Sequence, residues 1–256
     1  MADELVHYSV ERGVATITLD SPHNRNALSA QLRRELRAHL TTAIEAPEVR
    51  VIVLDHTGPV FCSGMDLKES KGAGSTAQGV NEFPELLQLI WESPTPVVVK
   101  LAGPARAGGV GLVAAADIAV AAEDASFAFT EVRIGVVPAV ISVTVLPRLL
   151  PRAAHELFLT GEKFDAAKAA RIGLINSAVP ADRLDDEVRR FTGMLALGAP
   201  QALAATKQML RRHPVSMADD FAAMLDLSAK HFAGEEGQEG IASFLQKRPA
   251  SWVPQD

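Results

Sequence analysis

A single cysteine, Cys62, stands in 256 residues, so no internal disulfide can form. Neither a Cys-x-x-Cys nor a His-x-x-x-His spacing occurs, and a zinc centre has no ligand set to start from. Aromatic residues make up only 5%, which leaves Ala, Val, Leu and Ile to fill the core. No run of Lys and Arg is dense enough to follow a nucleic-acid backbone, and the net charge of −6 makes such a partner unfavourable. The first residues, Met-Ala-Asp-Glu-Leu, lack the basic-then-apolar order of a secretory signal. The longest apolar tract, Val110 to Ala122, is broken by Asp117 and too short to cross a bilayer. The expectation is a cytoplasmic globular protein with no membrane or nucleic-acid partner. An anionic ligand would have to be held against the overall field by local cations and backbone N–H groups; Arg25, Lys68, Lys71, Lys247 and Arg248 are the candidates.

What is present alternates. Val6–Val10 and Val14–Leu19 flank a turn at Glu11-Arg12-Gly13 and read as a hairpin. Ser29 has the position of an N-cap for a helix carrying Leu32, Leu36, Leu40 and Ile44 on one face, ending before Pro47. Arg50–Leu54 then reads as a buried strand. The order repeats with a helix around Phe83–Trp91, a stop at Pro94 and Pro96, and strands at Val97–Leu101 and Asp117–Ala121. This is an α/β pattern. From Ala139 on, helical segments dominate (139–150, 152–160, 165–172, 184–197, 200–212, 216–232 and 235–247), with only Ile175–Val179 extended. Gly193, Gly198 and Pro200 are expected to break this part into pieces, and Gly72–Gly79 reads as a loose loop. The division expected is a core over residues 1–195 and a helical region over 196–256.

The stretch "PARAGGVGLVAAAD" (104–117) raises the functional question. Gly109-x-Gly111-x-x-Ala114 fits the dinucleotide-binding fingerprint, with Glu131 about 20 positions on as its acid. Against that reading, Pro104 to Ala107 separate the strand from the first glycine of the pattern, and the next candidate strand ends in Ala-Ala rather than an acid. A nicotinamide-dependent oxidoreductase therefore stands last among the readings. Plain helix–strand packing would also explain the small residues.

A second glycine-bearing segment, "FCSGMDLKE" (61–69), shifts the balance. Together with "SPHNRNALS" (21–29), "GPARAGGVGLVAAADIAVAAEDASFAFTEVRIGVVP" (103–138) and "EGIASFLQKRPASW" (239–252), it resembles the crotonase (enoyl-CoA hydratase/isomerase) superfamily along essentially the whole chain. The resemblance implies an α/β fold, a spiral of ββα units, with a helical C-terminal region that mediates trimerisation, as a homotrimer or a dimer of trimers. Phe221, Met224, Leu225, Phe232, Ile241 and Phe244 fit such an interface, or packing within their own domain. It implies an acyl-CoA thioester as substrate, with no permanently bound cofactor. Two backbone N–H groups, at Met65 and Gly108 by position, would form an oxyanion hole, and the small residues at 107–109 would let the thioester approach the backbone. Arg25, Ala27, Ser63, Gly64, Asp66, Leu67, Lys68, Gly111, Phe244 and Lys247 fall where the coenzyme or acyl group is bound, with Asp66 also read as a cap of the turn that follows it.

The departure from the pattern is at the acids. Where family hydratases carry a first glutamate this chain has Gly111, and only the second, Glu131, is present. A lone Glu on a loop is ordinarily half of a salt bridge, here to Arg133 or Arg106. Its apolar neighbours Phe127, Phe129, Val132 and Ile134 suggest instead a partly buried carboxyl with a raised pKa. One carboxylate suffices for syn hydration of a 2-enoyl-CoA, which stands first, or for the proton shuttle of an enoyl-CoA isomerase; a catalytically silent acyl-CoA binder is the third reading. Cys62 reads as a small core side chain, and Asp117 as a strand-end or surface residue. The acyl pocket is expected between the 69–90 region and the 131–145 segment.

Overall fold

The computed structural model describes residues 4–66, 69, 82–211, 230 and 234–253, apart from the side chains at 244 and 245. β1 (Val6–Glu11), mostly exposed beyond Val6, and β2 (Val14–Leu19), with alternating burial, form the antiparallel hairpin, Val6 pairing with Leu19 and Glu11 with Val14. The chain then rises through α1 (Ala30–Glu45), β3 (Val51–His56), α2 (Phe83–Glu92), β4 (Val97–Leu101), β5 (Ala105–Arg106), α3 (Gly108–Ala115) and β6 (Ile118–Ala122). β7 (Ser126–Ala128), α4 (Ala139–Val145), α5 (Pro151–Thr160), β8 (Phe164–Asp165), α6 (Ala166–Arg171) and β9 (Ser177–Val179) follow, then helices α7 (Leu184–Ala196), α8 (Pro200–Leu210) and, after an interval outside the described residues, α9 (Glu235–Gln246). The main sheet has six strands in the order β1-β2-β3-β4-β6-β9, parallel from β2 onward. A second sheet of three short strands, β5-β7-β8, lies beside it.

Both faces of the parallel strands are covered, which is why Val51–Leu54 and Val97–Val99 are continuous apolar runs rather than alternating ones. Leu32, Leu36, Leu40, Leu86, Ile90 and the whole of α3 pack on one face, and Leu184 and Val188 of α7 cover the other against Val51, Val53, Val98 and Val120. Ser29 is the N-cap of α1, its hydroxyl accepting from Leu32 N. α3 has every residue buried, so it is apolar all round and small enough to run through the core. Its C-terminal carbonyls are satisfied by Arg148, which donates from Nε to Ala114 O (3.1 Å) and from Nη2 to Ala116 O (2.9 Å) while stacking over Trp91.

Three expectations need correction. Gly193 does not break the chain: it sits inside α7, which runs unbroken because Leu184, Val188, Thr192 and Ala196 bury one face and Asp185, Asp186 and Glu187 favour its N-terminal turn. Gly198 and Pro200 do mark the next boundary. Ile175 and Asn176 lie outside β9, whose strand begins at Ser177. Asp117 is more than a strand-end residue, since its Oδ2 accepts from Val97 N (2.8 Å) and from Lys207 Nζ, and Arg211 lies 3.5 Å from its other oxygen. That partly buried cluster fastens α8 to the sheet. Lys207→Met removes one partner of the pair and is expected to lower the unfolding free energy by about 3 kcal/mol in chemical denaturation. Apart from residue 230, the expected segments at 216–232 and 72–79, and the apolar side chains of Phe221, Met224, Leu225, Phe232 and Phe244, lie outside the described residues.

Candidate active site

Two turns meet at the N-terminus of α3. The first runs from β3 through Phe61, Cys62, Ser63, Gly64 and Met65; the second from β4 through Pro104, Ala105, Arg106 and Ala107 into Gly108. They are laced together by backbone bonds from Phe61 N to Pro104 O (3.0 Å) and from Arg106 N to Cys62 O (2.9 Å), with Cys62 and Ala105 forming a parallel bridge. A third segment joins them, since Leu28 N donates to Gly64 O (2.8 Å) and Ser63 N to Arg25 O (3.1 Å).

The contact is close enough to dictate residue types. A Cβ on Gly64, whose φ is +93°, would lie 3.0 Å from Ala107 Cβ and 3.4 Å from Gly108 N. Position 64 thus faces the start of α3 directly. Ala107 itself holds φ 46° and ψ −119°, a conformation that disfavours any residue with a Cβ. Such backbone strain gathers at functional sites because the surrounding structure has to enforce it. The strained peptide leads straight into Gly108. Among the described residues neither Met65 N–H nor Gly108 N–H has a hydrogen-bond partner. Two free amide donors on adjoining turns, one at a helix N-terminus, are the groups that stabilise an oxygen anion.

Glu131 is the second residue of the 3-10 turn Thr130–Ile134 just past β7, whose Ala128 pairs with Arg106 and accepts from Ala107 N (3.1 Å). Neither expected salt bridge forms. Arg133 Nε donates to Gly161 O (3.0 Å), and Arg106 is spent on Ala105 O, Ser126 O and Ser126 Oγ. Glu131 Oε2 is buried without a hydrogen-bond partner among the described residues. Burial pushes its carboxyl above the usual range, partly opposed by its own backbone N–H.

At position 111 an added Cβ would stand 2.7 Å from Ile141 Cγ2 and 3.6 Å from Leu87 Cδ2. α4 has therefore moved an isoleucine into the space where a larger residue 111 would sit. Cys62 is fully buried with its thiol pushed up to about 12, consistent with a core side chain.

The first segment is built on its asparagines. Asn24 Oδ1 accepts from Ala27 N (3.2 Å) and its Nδ2 lies 3.5 Å from Asp66 Oδ2. Asn26, fully buried, donates to Thr57 O (3.1 Å) and Val60 O (2.8 Å). Arg25 and Asn26 both have left-handed φ, which turns the chain toward Ser63. Arg25, Ala27, Ser63, Gly64, Met65, Asp66 and Gly108 are thus brought together. Leu67, Lys68, Lys71 and the side chain of Phe244 lie outside the described residues. Lys247 is exposed at the end of α9, and no hydrogen bond or ion pair joins it to the two turns among the described residues. One neighbour of the site escaped the sequence reading, His56, a lone histidine at a strand end; Ile141 falls within the expected 131–145 pocket segment, but its relation to Gly111 exists only through packing of α4 on α3.

A sequence profile described as enoyl-CoA hydratase/isomerase matches residues 9–255. The "Probable enoyl-CoA hydratase" of Rhodobacter capsulatus is 38% identical over 97% of this chain and 98% of that protein. The carnitinyl-CoA dehydratase of Citrobacter koseri is 33% identical over 97% and 98% respectively. A crystal structure of an enoyl-CoA hydratase from Mycobacterium smegmatis superposes with a TM-score of 0.91 at 31% identity, covering 98% of this chain and 99% of that one. A mixed α/β core with paired glycine turns defines the class as a crotonase-fold enzyme. The chain belongs to the enoyl-CoA hydratase/isomerase family.

Among the described residues no cluster of three or more His, Cys, Asp or Glu is arranged to hold a metal, and no helix is long and apolar enough to cross a membrane.

Proposed function

We propose that this enzyme binds a 2-enoyl-CoA so that its thioester oxygen accepts hydrogen bonds from Met65 N–H and Gly108 N–H, and that Glu131 is its single acid–base group. The supporting observation is the buried, unpartnered Glu131 Oε2, because a carboxylate desolvated without compensation is poised to exchange protons. In the forward step Glu131 takes a proton from water as the water oxygen bonds to Cβ. The electron pair of the double bond moves onto the thioester, and the charge on oxygen is met by the two amides. Glu131 then returns that proton to Cα, adding H and OH to one face. Arg25, Ala27, Ser63, Gly64 and Asp66, with Leu67, Lys68, Phe244 and Lys247, are proposed to carry the coenzyme or line its path. Apart from the water that is added, the steps draw on protein groups. Residues 1–195 form the catalytic core in this proposal, and 196–256 the region of assembly and site closure.

A second reading rests on Gly111. With Ile141 and Leu87 against it, this wall is apolar and offers no second acid to hold water. Glu131 could then remove a proton from Cα of a 3-enoyl-CoA and return it to Cγ, moving the double bond into conjugation. Mass and absorbance read together after incubation with each substrate separate the readings: gain of one water with loss of the conjugated thioester absorbance from a 2-enoyl-CoA supports hydration, and appearance of that absorbance from a 3-enoyl-CoA without added mass supports the shuttle. Binding of both without turnover would leave the silent binder, and NADH binding not displaced by coenzyme A would leave the oxidoreductase.

The wall can be tested by itself. Gly111→Glu is expected to lower stability by about 3 kcal/mol, through overpacking and burial of a charge. Combined with Ile141→Ala it should recover most of that loss and raise hydration about tenfold through the second acid. Thermal melts and initial rates read both. We also propose cytoplasmic location and self-association as a trimer or dimer of trimers. The exposed apolar residues Val137, Val143, Leu150 and Leu159 support self-association, which light scattering would measure.

A further inference from the structure

His56 ends β3 at the point where the first turn begins, and it is buried. Its ring spans the two turns. Ala102 N donates to Nε2 (3.0 Å), and Nδ1 lies 3.2 Å from Thr57 O. An amide nitrogen can only donate, so Nε2 must present its lone pair and Nδ1 must carry the proton, donated to Thr57 O. One tautomer therefore serves both hydrogen bonds. Phe61, which leads into Cys62–Met65, meets the ring edge-on with centroids 5.5 Å apart. The same Thr57 carbonyl also accepts from Asn26, which ties in the coenzyme-side segment.

There is no slack nearby to absorb a change. A Cβ on Gly103, the residue after Ala102, would lie 2.3 Å from Pro59 O, so the two turns touch backbone to backbone just past the imidazole. We propose that His56 is a positioning residue, locking the turn of Met65 to the turn of Gly108 through the hydrogen bond its Nε2 accepts from Ala102. This rests on the reading that those two amides hold the thioester oxygen. His56 touches no reacting atom and acts only through the donors it aligns.

The charged groups around the ring are few. Asp55 on the same strand accepts from His56 N (2.8 Å) and binds Lys100 of β4 (3.0 Å); Lys100 in turn binds Asp185 of α7 (2.7 Å), and Asp20 accepts from the Thr57 hydroxyl. Desolvation outweighs these and holds the imidazole below its ordinary pKa, so the neutral form persists to mildly acidic pH. Once protonated, Nε2–H would point at Ala102 N–H and the link would open.

The test uses a 2,4-dienoyl-CoA, whose absorbance shifts to the red when its carbonyl accepts hydrogen bonds, in the Glu131→Gln background so that neither turnover nor Glu131 titration intrudes. His56→Leu should lose at least half of the red shift and about tenfold in kcat when Glu131 is restored, a fraction of the ~10²–10³ that a whole donor supplies. Its affinity for coenzyme A should be unchanged. His56→Gln, whose amide oxygen can reach the place of Nε2, should regain most of the shift, and should keep it at pH well below the ordinary imidazole value of about 6.5, where the parent loses it. If His56→Leu does not fold, the pH comparison of parent and His56→Gln decides alone. A full red shift and kcat in His56→Leu, or the same acid loss in His56→Gln, overturns the proposal. No red shift with His56 intact would instead refute the oxyanion reading beneath it.

Discussion

Glu131→Gln is expected to lower kcat by about 10³-fold while leaving affinity for coenzyme A unchanged. The amide keeps the shape of the side chain but can neither take a proton from water nor return one to carbon. The same substitution should raise stability at neutral pH. Burial holds the folded carboxyl above its unfolded value, so between those two values the native state binds more protons than the unfolded chain, and stability falls as pH rises through that window. Above it, Glu131 is a desolvated charge with one oxygen unpaired. Gln removes the charge. Melts across pH should therefore show the variant gaining on the parent as pH climbs above about 4.5, and the two converging below it. In the parent, the hydration rate should show an acid limb displaced upward from an ordinary glutamate, because the ionised form starts the reaction. A variant that stays active, or a parent without that displaced limb, would remove Glu131 from the mechanism.

The elements that could be read from sequence are those whose burial repeats along the chain. α1 announces itself through Leu32, Leu36 and Leu40 behind the Ser29 cap, and β3 and β4 through uninterrupted apolar runs that a sheet covered on both faces explains. The second sheet has no such signal. β5 and β8 are pairs of residues, too short for any period, and they exist because Ala105 pairs with Phe127 and Phe164 with Phe127 in turn. Gly193 was misleading for the opposite reason: local propensity argues for a break, and the buried face of α7 overrides it.

The site divides in the same way. Glycines at 64, 108 and 109 mark both turns in the letters, and their family resemblance orders them. The unusual φ of Ala107, the lone oxygen of Glu131 and the bond from Ala102 to His56 depend on segments that meet only after folding. Ile141 is the plainest instance, since the absence of an acid at 111 is visible in sequence but the side chain that took its space is 30 positions away on another helix.

Gly109→Ala is expected to damage both stability and turnover with a single methyl group, and it separates the packing role of the α3 glycines from their chemistry. Its Cβ would lie 2.6 Å from Cys62 O and 2.8 Å from Cys62 Cβ. Those atoms cannot yield alone, because Cys62 O accepts the bond from Arg106 N that holds the two turns in register. Either α3 slides away or the turn of Met65 does, and both motions separate the two amides. We expect a loss of about 3 kcal/mol in stability from overpacking and about 10²-fold in kcat from an ångström-scale displacement of one donor. Gly193→Ala is the matched control: it adds the same methyl in a helix where nothing lies within 4 Å, and the gain in helix propensity should stabilise the protein by about 0.5–1 kcal/mol with kcat unchanged. If Gly109→Ala melts and turns over like the parent, the contact between α3 and the Cys62 turn does not fix the donors. The separation of the two turns would then have to be set elsewhere along their length.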